Sequence, residues 1–282
     1  MSIIPTVSVS PKKGAFRPLF AALSVAFWIT VWYLLALWLD KPLLLPTPLA
    51  VIQRIGELAC HGDFWLRGAL SLCRILGGIL AGAVFAVLIG SLTATFPVCH
   101  ALMSPLITII KSTPVSSFII LALLWIDRDI LPVFISFLIV FPVMWSNIHT
   151  GFRSVPRAYL ELAQVFRLSG FKKVQRIYIP FTLPYFLSAC RSSLGLAWKA
   201  GIAAEVLALP AISIGKQLYE SKVYLETTDL FAWTTVVVLL SLLLEQCAEW
   251  IFRRLLRRRG HRTASPPGKS PGTQGGMPHA AV

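Results

Sequence analysis

Between Pro18 and Leu39 the chain carries no charged residue. A run of that length suits an α-helix that must cross a hydrocarbon core about 30 Å thick, which takes about 20 residues. Comparable windows recur along the 282 residues, of which 56% are hydrophobic and only 13% charged, at a mean hydropathy of +0.73. A water-soluble domain of this size has too much surface to hide that much apolar side chain. The chain therefore reads as an all-α membrane protein. The first run exceeds a signal-peptide core and reaches Asp40 without a small-residue cleavage site, so it reads as a retained span.

Five further spans are expected. A Pro-rich connection, Lys41–Pro48, leads to an amphipathic stretch over Pro48–Ala59. The second span covers about Leu70–Phe96, with Arg74 near its outer end. The third covers Leu102–Ile126 and contains Lys111 and Pro114. The turn Asp127-Arg128-Asp129 leads to a fourth at Ile130–Ile148. The fifth is long, broken by Pro180, Pro184, Gly195 and Gly201, and ends near Leu209. The sixth is Leu230–Phe252. Residues 18–252 then form the membrane domain, between an N-terminal tail, 1–17, and a basic C-terminal tail, 253–282. From Gly260 that tail is rich in Pro, Gly, Ser and Thr and is expected to be disordered.

The net charge of +14 invites a nucleic-acid reading, but its placement favours topology. With the N-terminus inside, 16 of the 26 basic residues fall on the inner side, six on the outer and four within spans. That asymmetry places both termini in the cytoplasm. The run Arg253–Arg259 then meets anionic lipid headgroups rather than nucleic acid. The five cysteines show no CxxC pair, and most lie in apolar stretches where a thiol acts as a small hydrophobe. The five histidines are isolated, so no metal site is read. Gly268-Lys269-Ser270 imitates the end of a phosphate-binding loop, but Thr263 stands where its first glycine belongs and no strand precedes it.

The longest cytoplasmic segment, about 151–179, joins spans four and five. Pro156 suits the first turn of a helix, and Tyr159, Leu160, Ala163 and Phe166 recur at helical spacing. Gly170 can end that helix, and a second short amphipathic piece runs on to Pro180. Such a helix–turn–helix can dock into a groove on another protein. Here the chain resembles the permease subunits of ATP-binding-cassette importers, in the branch associated with nitrate, sulfonate and taurine uptake. The family's loop reads Glu-Ala-Ala, three residues, Gly, nine residues, Ile-x-Leu-Pro. Glu161, Leu162 and Ala163 take its first three positions, and Ile177, Ile179 and Pro180 its last. Two departures stand out. Leu162 replaces an alanine, and Arg167 occupies the glycine position, with Gly170 three residues later. The resemblance covers roughly residues 42–254, through Leu45–Pro48, Leu70–Gly78, Phe141-Pro142, Val155-Pro156 and Gly195–Glu205.

The resemblance implies six transmembrane helices with a cytoplasmic coupling helix between the fourth and fifth. It implies an inner-membrane homodimer working with two ATPase subunits and an extracytoplasmic solute-binding protein. ATP and Mg would sit on the partner ATPase, with no cofactor on this chain. Glu161, Leu162, Ala163, Arg167 and Gly170 would form the ATPase contact. ATP-driven closure would then rock the two permeases between inward-open and outward-open states.

Lys111, Arg191, Lys199 and Glu205 are ionisable groups expected at membrane depth, where each costs several kcal/mol unless it faces a polar cavity or a partner. One reading makes them the lining of a pathway that favours a small anion. The other pairs Lys111 or Lys199 with Glu205 across helices. Arg191 and Glu205, about 21 Å apart along one helix, cannot pair unless that helix breaks. Gly78-x-x-x-Gly82, with Gly90 about two turns on, reads as close helix packing. Two rival functions remain. A secondary transporter would show internal repeats with broken helices in both halves, and none is apparent. A membrane enzyme would need convergent catalytic groups at one depth.

Overall fold

The computed structural model describes residues 17–260. The N-terminal tail up to residue 16, Gly268-Lys269-Ser270 and the rest of the C-terminal tail from 261 lie outside the described residues. Those described form eleven α-helices and one π-helical turn, without a strand.

Helix α1, Arg17–Leu39, stands almost free of the rest and touches α11 through Trp32 and Phe231, whose rings lie 5.8 Å apart. Helix α2, Pro48–Ala59, begins where Thr47 Oγ1 accepts the Ala50 amide at 3.3 Å, while Pro48 supplies the first-turn φ. Arg54 binds α2 to the start of α11, Thr227–Gly260, by donating to both carboxylate oxygens of Asp229 at 2.6 and 2.9 Å. These hydrogen bonds, and one more to Glu57, raise the guanidinium pKa above its usual value.

The centre of the molecule is α6, Leu131–Arg153, held between α3, Gly62–Thr95, and α9, Ile179–Ala208. Small residues set that approach. A Cβ on Gly78 would strike the Val133 carbonyl oxygen and lie 2.8 Å from Ser136 Cβ. One on Gly82 would lie 3.0 Å from Val140 Cβ, and one on Gly90 2.9 Å from Ile148 Cγ2. The glycine stripe lets two backbones approach where hydrophobic driving force between helices is weak. The second core packs Ile75, Trp198, Ile202, Ile214 and Trp233, and Trp198 Nε1 donates to the Val237 carbonyl at 3.1 Å.

Two expectations need correcting. The third span is not one helix: α4, Pro97–Ser112, and α5, Val115–Ala122, meet at 101°. Pro114 has no N–H to continue the ladder and disfavours helix at Thr113. The fifth span, expected to break, is instead continuous over all 30 residues of α9. Pro180 sits in its first turn, where no N–H is needed, and α9 tolerates Pro184 and both glycines. It stops at Leu209, whose φ is 55°. Helix α11 continues through the arginine run to Gly260.

Among the described residues four helices, α1, α3, α6 and α11, are long and apolar enough to cross a membrane, or five spans if the bent α4–α5 pair counts as one. Large apolar side chains lie open over their outer faces, among them Trp28, Leu88, Leu92 and Leu243. In water that would be a liability; against lipid it is the expected surface.

Candidate functional site

After α6 the chain leaves the bundle at Ser154 and folds into a small unit of its own. Pro156, in extended conformation, caps α7, Arg157–Val165. The helix ends in a pair of bonds that close a left-handed turn: the Leu168 amide donates to the Ala163 carbonyl and the Arg167 amide to the Gln164 carbonyl, both at 2.9 Å. Arg167 carries the left-handed φ of 47°. Helix α8, Gly170–Lys173, follows, and the π-helical turn Val174–Tyr178 leads into α9. The terminator expected at Gly170 is therefore Arg167, the position where the family pattern has glycine. Gly170 begins the next helix with ordinary φ.

The unit has a core of its own, in which Val155, Ala163 and Ile177 are buried against Leu160, Leu168, Tyr178 and Phe181. Aromatic pairs tie it to the bundle: Phe152 stacks on Tyr178 at 5.0 Å, and Tyr159 meets Phe181 edge-on at 5.1 Å. Ala163, 4% exposed, is therefore part of the loop's own packing. Glu161, Leu162, Arg167 and Gly170 lie exposed. Beside them Val165, Phe166 and Phe171 are also open, Val165 and Phe171 by more than three quarters. Sequence reasoning counted Phe166 towards the helix's inner periodicity and passed over the other two. Apolar residues at 162, 165 and 166 recur at helical spacing, and that was the available signal.

The four ionisable groups of the spans do not converge. Lys111 Nζ donates to Ser146 Oγ at 2.6 Å. Arg191 lies 3.6 Å from Glu249 of α11. Lys199 is exposed, and among the described residues no hydrogen bond or ion pair reaches it. Glu205 is fully buried. Its Oε2 accepts from Ser71 Oγ at 2.8 Å and from the Gly215 amide at 3.1 Å, while Oε1 faces Arg74 at 3.9 Å. Arg74 also donates to Asp129 at 2.7 Å and to the Ile212 carbonyl at 2.7 Å. Glu205 thus joins α3, α9 and α10, Ile214–Val223, and pairs with neither lysine. Ser71 and Arg74, three residues apart on α3, reach Glu205 and Asp129 across sequence separations of 134 and 55 residues, beyond the reach of any local pattern.

A family model described as the inner membrane component of binding-protein-dependent transport systems matches residues 78–261. The chain is 26% identical to the taurine transport system permease protein of Escherichia coli, over 82% of this chain and 86% of that one. It is 24% identical to a putative aliphatic sulfonates transport permease protein of Bacillus subtilis, over 90% and 92%. It is 27% identical to the bicarbonate transport system permease protein of Synechococcus elongatus, over 76% and 81%. The family match takes in the α6–α9 loop and every helix from the glycine stripe of α3 onwards. On that ground the chain belongs to the inner membrane components of binding-protein-dependent transport systems, as a multi-pass ATP-binding-cassette permease in the branch of these relatives.

Proposed function

We propose that this permease forms half of the translocation pathway of an ATP-driven importer for a small anionic solute, and that the α7–α8 unit couples it to a separate ATPase. The observation that carries the reading is the apolar surface left open on that unit. Leu162, Val165, Phe166 and Phe171 face outward on a piece of chain outside the bundle, where lipid does not account for them. Glu161 and Arg167 border the patch with opposite charges, and Arg157, Lys172, Lys173 and Arg176 surround it. An apolar anchor with a charged rim suits docking into a protein groove.

Six spans are part of the same reading. α9 fails on apolarity because it carries Arg191, Lys199 and Glu205, but 30 residues make it about 45 Å long, ample for a bilayer. With the α4–α5 pair as one span, the count reaches six and both termini lie in the cytoplasm. Working partners are two ATPase subunits that hold ATP and Mg, a solute-binding protein outside the membrane, a second copy of this chain and the surrounding lipids. The chain itself performs no chemistry. Taurine, aliphatic sulfonates and bicarbonate, in the relatives' names, suggest solutes with an anionic head.

Tagged permease, extracted in mild detergent, is expected to bring an ATP-binding-cassette ATPase with it at about one copy per permease. Glu161→Lys should abolish ATP-dependent uptake while the permease still extracts as a folded particle. Wild-type uptake in that variant would remove the coupling assignment. A chain that purifies alone across several detergents would favour a gradient-driven transporter instead.

A further inference from the structure

We propose that Lys111 is the anion-selecting charge of the pathway, held in place by Ser146 at the break between α4 and α5. This rests on the permease reading above and narrows its four ionisable groups to one.

Helix α4 has two unlike faces. Val98, Leu102, Leu106 and Ile109 form an exposed apolar stripe, while Ser104, Thr108 and Lys111 lie on the opposite side at helical spacing. Thr108 and Lys111 are exposed too. An ammonium group in contact with lipid tails is costly, so a face that carries it at membrane depth belongs towards water. Past the break the polar character continues: Ser116 and Ser117 are exposed on α5. Irregular backbone at this depth is tolerated where it lines a cavity, and here the Ile109 carbonyl accepts from the Thr113 amide and from the hydroxyls of Ser112 and Thr113.

The contacts around Lys111 hold its amino group without an opposing charge. Ser146 Oγ donates its proton to the Pro142 carbonyl at 2.9 Å, so towards Lys111 it acts as acceptor. A neutral hydroxyl takes one of three N–H donors and cancels none of the charge. Among the described residues no carboxylate comes within ion-pair distance of Lys111. The other three groups differ. Arg191 has Glu249, and Glu205 is buried among its own donors. Lys199 is exposed, but no hydrogen bond fixes its position among the described residues, its immediate neighbours on that face of α9, Leu196 and Ala203, are apolar, and the nearest hydroxyl along it is Ser192, two turns away. Lys111 alone combines an uncompensated cation, a fixed position and a row of hydroxyls. A carboxylate, sulfonate or bicarbonate ion passing it would accept the two remaining N–H donors.

Thiol-reagent rates test this without knowledge of the solute. In membranes of cells that make the full chain, with its five native cysteines replaced by alanine, Thr108→Cys, exposed one turn from Lys111 on the same face, reports the potential beside it. The anionic reagent 2-sulfonatoethyl methanethiosulfonate should react faster than the cationic 2-trimethylammonioethyl reagent, by about tenfold for a unit charge a few ångströms away. Lys111→Met should erase that preference, Lys111→Arg should keep it, and Lys199→Met should leave it unchanged. No reaction with either reagent, or a preference that survives Lys111→Met, overturns the proposal. The rates are read on this chain alone, so they stand apart from the ATPase co-purification that tests the importer reading.

Discussion

Arg167 holds a backbone conformation that costs a side chain with a Cβ about 1–2 kcal/mol, because the β-carbon crowds the following carbonyl oxygen. The cost is tolerated because the turn it makes closes α7 and folds the loop back so that Leu168 joins the small core around Ala163. Arg167→Gly is therefore expected to stabilise the loop by about 1 kcal/mol. Hydrogen exchange at the Leu168 amide of purified permease should slow by about fivefold if that is right. Unchanged or faster exchange would mean that the arginine side chain stabilises the turn by more than its backbone strain. Lys111 presents the complementary case, in which a residue with ordinary backbone carries an unusual charge environment. Lys111→Met should cost uptake and the reagent preference at position 108 together.

At the scale of elements, the α3–α6 contact depends on missing side chains. Gly78 leaves no room for a β-carbon against the Val133 carbonyl, while a β-carbon on its neighbour Gly77 would meet nothing within 4 Å. Gly78→Val should therefore drive the helices apart and cost about 3 kcal/mol or more, and Gly77→Ala should be tolerated. Size-exclusion chromatography of detergent extracts separates the two, since only the first should lose the monodisperse peak. The α7–α8 unit behaves differently from the bundle. Its core is three buried residues with a few partly buried neighbours, so its exposed face can change charge without unfolding the membrane domain. That is why Glu161→Lys is expected to remove coupling and leave the fold.

For the whole molecule, the decisive question is whether α9 crosses the membrane. It carries three ionisable groups, yet Glu205 accepts two hydrogen bonds within the protein and Arg191 has a partner, which lowers the cost of placing it in the bilayer. Reporter fusions should place residue 168 in the cytoplasm and residue 212 outside. If both report the same side, α9 does not cross and the six-span topology fails. An even span count is also what returns the arginine-rich end of α11 to the leaflet it left, where Arg254 already rests on the Trp250 ring at 3.9 Å.

The sequence by itself determined the solvent of this protein, the positions of its apolar helices and the glycine stripe. Each is a local pattern, written in runs or spacings along a single helix. The family pattern likewise picks out the loop between α6 and α9, because its spacing survives within thirty residues. Only the tertiary structure decided that Gly170 does not end α7, that Pro114 turns the chain by 101° and that Pro180 and Pro184 leave α9 unbroken. A proline's effect depends on whether neighbouring helices and hydroxyls take up the freed backbone groups, and no local window contains those neighbours. The same holds for charge. Glu205 and Lys111 are alike in sequence, each a single ionisable residue in an apolar stretch. One lies inside a network drawn from α3 and α10, and the other stands open beside Ser146 of α6.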